Sequence, residues 1–149
     1  MLSRSFRPTA FFALTLLSSL TIATELCPMP LGVQVAIQAS QQAIEARNLG
    51  KNKNELLAGI AKHDEKSWIG VILLEVVDEV YDFPPLSTDI YSAYRFEKCF
   101  ILNRDEVGSE KIIYKNVYPY LEKCQLLSDK KERSTCAMKA LHISSGISE

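Results

Sequence analysis

Apolar residues recur at three- and four-residue steps through most of the chain, which is the period of an amphipathic α-helix. The first such run extends from Leu31 to Leu49, with glutamines between its apolar positions. Gly50 follows where a left-handed C-terminal cap is expected. Asn52 and Glu55 then make a capping-box-like start for a short helix. The pattern predicts two helices before His63.

The segment from Ser67 to Asp82 is strongly apolar and rich in β-branched residues. Its acidic residues fall at three- and four-residue steps, so they share one stripe of a helix and predict a narrow solvated face: Glu75, Asp78 and Glu79. A strand from Val71 to Val77 is the alternative, although the length and the acidic stripe favour a helix. Pro84 and Pro85 then stop the helix, because proline cannot donate a backbone hydrogen bond.

Ser87 is placed as the N-cap of the next helix, with Asp89 in its first turn at the positive end of the helix dipole. This helix continues to about Ile101 and is rich in aromatic residues. Asn103 to Ser109 is the clearest loop, since it contains Gly108.

Two more helices follow this loop. Glu110 to Tyr118 resumes the helical pattern, and Pro119 is expected to kink the helix or restart it. Ser128 is placed to cap a last helix that ends near His142. The chain is therefore predicted to be all-α, as a compact bundle of six or seven helices with short connections.

The N-terminal segment has a different pattern. Arg4 and Arg7 precede a run from Ala10 to Ala23 that is apolar apart from small hydroxyl residues, and it ends in the small residues Thr21 and Ala23. Basic, apolar and then small residues, in this order, are typical of a secretory signal peptide. The run is too short for a membrane anchor, which needs about 20 apolar residues. We predict residues 1–23 to be a signal peptide and the protein to be periplasmic or extracellular.

Cleavage after Ala23 leaves 126 residues, enough for a single helical domain over residues 24–142 and a flexible tail over residues 143–149. It also leaves 15 basic and 18 acidic residues, a net charge of −3. Such a charge does not attract nucleic acid or anionic lipid. No second apolar run is long enough to cross a bilayer, so we expect no stable membrane insertion after cleavage.

An even number of cysteines in an exported chain predicts two disulfides. Three pairings are possible, and the sequence alone does not choose among them. We favour Cys27–Cys99, which would tie the N-terminal segment to a distant helix, with Cys124–Cys136, which would staple two neighbouring helices. A zinc site is the rival interpretation, but the spacing contains no C-x₂-C pair.

Residues that could support catalysis are few. His63 lies in a polar helix end and His142 at the end of the last helix, and no motif links them. The acidic stripe could supply paired carboxylates for glycoside hydrolysis, although this spacing is more typical of a solvated face. We therefore assign no catalytic residue, no metal ligand and no cofactor.

Aromatic residues surround the Pro84-Pro85 corner. Most are expected in the core, because aromatic side chains fill much of a small domain. Tyrosines left partly exposed beside the corner would instead suit a protein-binding surface. The sequence does not separate the two, and the possible interface consists of Tyr81, Phe83, Tyr91 and Tyr94.

Three short segments carry a resemblance: Ala43 to Gly50 (AIEARNLG), Val80 to Ser87 (VYDFPPLS) and Phe96 to Cys99 (FEKC). Together they resemble small uncharacterised bacterial periplasmic helical proteins with disulfides. The resemblance implies a Gram-negative periplasmic setting and no known reaction.

These observations predict an exported, non-enzymatic interaction protein, such as an inhibitor, an immunity-type protein or an accessory subunit in the bacterial envelope. Its partner would be another envelope or secreted protein. The alternatives are a small secreted enzyme or ligand-binding protein, and a secreted effector that acts on host cells. An enzyme or ligand binder would have a cavity in which His63 or the stripe of Glu75, Asp78 and Glu79 converges with other polar groups. Burial of Glu75 and Asp78 together against tyrosine or histidine would favour this alternative.

Overall fold

A computed structural model describes residues 26–61, 66–104 and 112–146. The predicted signal peptide, His63 and most of the loop predicted over residues 103–109 lie outside the described residues. Within those ranges the chain forms helices and no strand, so the all-α prediction is confirmed and the strand alternative is wrong. The helices are α1 (Leu31–Asn48), α2 (Lys53–Ala61), α3 (Trp68–Asp82), α4 (Thr88–Asn103), α5 (Tyr114–Cys124) and α6 (Lys130–Ser145).

Local signals in the sequence set the boundary between α1 and α2. Gly50 follows α1 with a φ of +78°, the left-handed conformation that favours glycine. The Asn52 side chain accepts a hydrogen bond from the Glu55 amide at 3.0 Å and donates one to the Glu55 carboxylate at 2.9 Å. This reciprocal pair satisfies a free donor at the start of α2, as the capping-box pattern predicts.

The ends of α3 also follow the predicted signals. Ser67 is the N-cap and accepts a hydrogen bond from the Gly70 amide at 3.0 Å. Phe83 is extended, as expected for a residue before proline, so the helix stops at Asp82. Arg47 of α1 donates hydrogen bonds to the carbonyl groups of Val80 and Phe83, which joins α1 to the C-terminal end of α3.

Pro119 neither restarts nor ends a helix, so residues 26–61, 66–104 and 112–146 contain six helices and not seven. It lies inside α5, which begins at Tyr114 and not at the predicted Glu110. Val117 and Leu121 are buried on either side of the proline, and this packing holds the helix together where one backbone hydrogen bond is lost.

Two predicted caps differ from the observed ones. Ser87 occupies the N-cap position of α4, but its side chain makes no capping hydrogen bond. Asp129, and not Ser128, caps α6, accepting a hydrogen bond from the Glu132 amide at 2.9 Å. A carboxylate has the added advantage of its charge at the positive end of the helix dipole. The helix continues past His142 to Ser145, through the first residues of the segment predicted to be a tail.

The helices pack around two groups of buried apolar side chains. α1 packs on α3 in one group, and α4 packs on α6, with α5 also against α6, in the other. The N-terminal cluster contains Cys27, Val33, Ala36, Ala43, Ile72, Val76, Val80 and Cys99. The C-terminal cluster contains Ile90, Tyr91, Tyr94, Ile101, Ile112, Val117, Leu121, Cys124, Ala137, Ala140 and Leu141.

One disulfide belongs to each cluster. Cys27 pairs with Cys99, and Cys124 pairs with Cys136, with Cα–Cα distances of 5.2 and 5.7 Å. This is the pairing favoured from the sequence. No helix in the described ranges is long and apolar enough to cross a membrane.

Candidate functional site

The structure corrects the aromatic surface predicted around the proline corner. Tyr91 and Tyr94 are buried, with 7% and 0% exposure, so neither can contribute to an exposed interface. Their hydroxyl groups donate to the two carboxylate oxygens of Glu79, at 2.7 and 3.0 Å. Burial is possible because these polar atoms find a partner inside the protein.

Phe83, a third residue of the predicted interface, packs against other aromatic rings. Its ring centroid lies 5.1 Å from that of Tyr114 and 4.9 Å from that of Tyr118. Tyr114 also lies 5.2 Å from Tyr94. Phe83, Tyr94, Tyr114 and Tyr118 therefore form one aromatic cluster in the structure.

Tyr81, the fourth residue of that interface, is partly buried beside the N-terminal cluster. Its hydroxyl group donates to the carbonyl of Lys51 at 3.0 Å. The large exposed aromatic residues lie on other surfaces: Phe96 and Phe100 stack on α4, and Tyr120 lies on α5.

The acidic stripe of α3 is not uniformly solvated, which corrects a second prediction. Asp78 is exposed and pairs with Lys53 at 2.8 Å, but Glu79 is only 5% exposed. Helical periodicity places these acids on one stripe, but α4 covers part of that stripe. A residue at the covered edge is buried even though its neighbours remain in water.

Glu79 and Glu75 join two basic residues of α4 in a charge cluster, which we define as Glu75, Glu79, Arg95 and Lys98. The Arg95 Nη2 lies 2.7 Å from Glu79 Oε2, and its Nη1 lies 3.0 Å from Glu75 Oε2. Lys98 Nζ lies 2.7 Å from the same Glu75 oxygen. Arg95 also donates through Nε to the Tyr91 hydroxyl at 3.1 Å. Two carboxylates thus face two cations, so the cluster carries no net charge.

The electrostatics of the cluster changes the pKa values of Glu75 and of the two tyrosines. Burial alone would raise the pKa of the Glu75 carboxyl, but the nearby Lys98 and Arg95 outweigh it and hold this pKa below its usual range. Burial and the Glu79 charge raise the pKa values of Tyr91 and Tyr94 well above that of free tyrosine, against the opposing charge of Arg95. The tyrosines therefore stay neutral hydrogen-bond donors at physiological pH.

A cavity of about 130 Å³ lies beside the charge cluster, lined by Glu75, Arg95 and Lys98 together with apolar side chains. Its two cysteines, Cys27 and Cys99, are joined in a disulfide and cannot act as nucleophiles. Because its charged groups are paired with one another, the cluster is better suited to holding α3 against α4 than to attacking a substrate. Among the described residues, no group of three or more histidine, cysteine, aspartate or glutamate side chains could hold a metal ion.

Arg95 and Lys98 were missed by the sequence analysis. Both lie on α4 three residues apart, amid the aromatic side chains of an otherwise apolar face. When the apolar face of one helix contains cations and a second apolar helix contains acids at a similar spacing, an internal ion pair is indicated. His142 was predicted at a helix end, and the structure places its Nε2 2.7 Å from the Glu97 carboxylate.

A second feature is a groove of about 550 Å³ between α5 and α6, open to solvent. The Cys124–Cys136 disulfide and Ala140 form its floor, and Tyr120 and Ile143 add exposed apolar surface. Ile143 is 63% exposed. The remaining lining residues are Lys123, Lys131, Glu132, Thr135 and Lys139.

A disulfide and buried side chains hold together the two helices that form the α5–α6 groove. The disulfide joins Cys124, the last residue of α5, to Cys136 in the middle of α6, and Ala137 and Leu141 of α6 are buried. Two helices held in this way cannot separate without breaking a covalent bond or opening the core. A preformed apolar groove binds with less loss of conformational freedom than a flexible surface does.

Comparison with known proteins adds no relative to this description. No protein-family model, no curated protein and no solved structure matches the chain.

Proposed function

We propose that this chain is an exported, non-enzymatic interaction protein that binds another envelope or secreted protein through the α5–α6 groove. The observation that carries the proposal is the groove itself, an open apolar floor on rigid helices with Tyr120 and Ile143 exposed at its edge. Contiguous apolar surface with a polar rim is typical of protein-binding sites. The signal-peptide pattern and the two disulfides support an oxidising location outside the cytoplasm.

The charge cluster supports a non-enzymatic role. Its acids, cations and tyrosines satisfy one another, whereas a catalytic acid or base needs access to a substrate proton. Burial of Glu75 and Asp78 together would favour an enzyme. Glu75 does lie in the cluster with Glu79, which accepts the tyrosine hydrogen bonds, but Asp78 remains exposed.

The test is capture from periplasmic extract with the tagged mature protein. Thr135 is exposed and lines the groove, so Thr135→Trp fills the groove without disturbing the core. Glu122→Trp is the matched control, because Glu122 is exposed on α5 outside the groove. A stoichiometric partner retained by the native protein and the control, but lost by Thr135→Trp, is expected. Equal capture by all three proteins, or hydrolase activity without a partner, would contradict the proposal.

A second candidate function is the binding of a small molecule in the cavity of about 130 Å³, which combines apolar walls with three charged side chains. Native mass spectrometry of the protein purified from the periplasm tests it. A bound mass that disappears when Leu102→Trp fills the cavity would support this function. Protein of unliganded mass in every preparation would count against it.

A further inference from the structure

The rim of the α5–α6 groove is basic. Lys123, Lys131 and Lys139 are exposed around it, and Glu132 is the only acid among the described residues of its lining. The whole chain has a formal net charge of −1, so this local excess of positive charge departs from the general composition. Charge concentrated beside an apolar floor selects partners of opposite charge.

The rim lysines are available for a partner. Among the residues that the structure describes, none of the three pairs with a carboxylate, whereas Lys53 and Lys98 do. Lys123 Nζ lies 5.7 Å from the Tyr120 ring centroid, which keeps its ammonium group at the edge of the groove.

The two rim lysines of α6 lie at a defined distance from each other along the helix. Lys131, Thr135 and Lys139 follow one another at four-residue steps and therefore lie on one side of the helix. A rise of about 1.5 Å per residue separates Lys131 and Lys139 by about 12 Å along the axis. The uncharged Thr135 lies between them on this side, and Glu132 lines the groove next to Lys131, so the two lysines are separate positive points on the rim.

We propose that the groove binds an acidic amphipathic helix of a partner protein, with apolar side chains on the disulfide floor and carboxylates placed against Lys131 and Lys139. The inference rests on the proposed function and names the chemistry of its partner. Carboxylates about eight residues apart on a helix match the lysine spacing of about 12 Å. A helix fits because the groove lies between two helices and the described residues offer no strand edge for a partner strand.

Two other anionic partners fit less well. A nucleic acid would need many phosphate contacts, and three lysines beside a glutamate on an acidic chain supply few. An anionic membrane would contact a flat or convex basic surface, whereas here the apolar surface lies at the bottom of a groove between the lysines.

The experiment measures fluorescence anisotropy of two labelled synthetic helices in the presence of the mature protein. One helix has a leucine stripe flanked by glutamates, and the other has lysines in place of the glutamates. We expect the native protein to prefer the acidic helix, with binding that weakens as salt is added. The Lys131→Glu/Lys139→Glu variant should weaken binding of the acidic helix about tenfold and improve binding of the basic one.

The matched control is Lys115→Glu/Lys130→Glu, which makes the same charge change at exposed positions of α5 and α6 that do not line the groove. It should bind the acidic helix as the native protein does. Equal binding of both helices by the native protein, or equal losses in the two double variants, would overturn the proposal. So would lysine-dependent binding of phosphatidylglycerol vesicles without binding of the acidic helix.

The two proposals fail in different ways. If Thr135→Trp abolishes capture of the natural partner but Lys131→Glu/Lys139→Glu leaves it unchanged, the groove is the binding site and the acidic-helix inference is wrong. If neither variant affects capture, the groove is not the site. Far-ultraviolet circular dichroism of each variant confirms that a loss of binding does not reflect unfolding.

Discussion

Arg95 of α4 and Glu79 of α3 form a buried ion pair, with Nη2 and Oε2 2.7 Å apart. Their side chains are 2% and 5% exposed, so water screens their interaction little. The pair joins α3, which packs in the N-terminal cluster, to α4, which supplies much of the C-terminal cluster.

Removing one partner of this pair should destabilise the protein strongly. Glu79→Leu leaves Arg95 buried with Glu75 as its only carboxylate and should lower the free energy of unfolding by about 3–5 kcal/mol. The double variant Glu79→Leu/Arg95→Met should lose less stability than the single variant, because no buried guanidinium remains. Urea unfolding followed by circular dichroism measures both. Asp78→Asn, at an exposed acid one residue away, should cost less than about 1 kcal/mol. A double variant less stable than Glu79→Leu would contradict this account.

A methyl group at Gly32 should also destabilise the protein. A Cβ there would lie 2.7 Å from the Cys27 sulfur, which the disulfide holds in place, and 3.3 Å from the Cys27 carbonyl carbon. Gly32→Ala should therefore lower the free energy of unfolding by about 1–3 kcal/mol. Gly59→Ala is the control, because nothing lies within 4 Å of its Cβ and alanine favours a helix interior. It should raise stability by up to about 1 kcal/mol, and equal effects at both glycines would refute the steric explanation.

The disulfides give a simple chemical test. Denaturing alkylation of the mature protein should modify no cysteine before reduction and all four after it, as measured by intact mass. Replacing Cys124 and Cys136 by alanine should lower the free energy of unfolding by about 3 kcal/mol, because the unfolded chain gains the freedom of a 12-residue loop. Two free thiols in the unreduced protein would refute the two-disulfide structure.

Stability should fall in acid through Glu75. Because Lys98 and Arg95 lower its pKa in the folded state despite burial, the unfolded chain takes up this proton first as the pH falls. The contribution of Glu75 to the free energy of unfolding is complete at pH values above the usual glutamate pKa. It is lost as the pH falls through the lowered pKa of the folded state. Urea unfolding at a series of pH values should show a shallower acid loss for Glu75→Gln than for the native protein. If the free energy of unfolding falls with pH in parallel for the two proteins, Glu75 is not a source of the stability lost in acid.

Much of the helical framework could be predicted because its signals are local. The Asn52 and Glu55 side chains bond to each other within one helical turn, and Gly50 needs only its own backbone to adopt a positive φ. Pro84 acts on its immediate neighbour Phe83. Such interactions depend on a few adjacent residues, so the sequence by itself determined where these helices begin and end.

The charge cluster depends on contacts between distant residues. Glu79 and Asp78 occupy one acidic stripe in the sequence, and only the position of α4 decides that the first is buried and the second is exposed. Tyr91 and Tyr94 are core residues for the same reason, since Glu79 accepts their hydroxyl hydrogens. The helical period identifies the shared face of residues, but the tertiary structure decides which part of that face meets another helix and which part meets water.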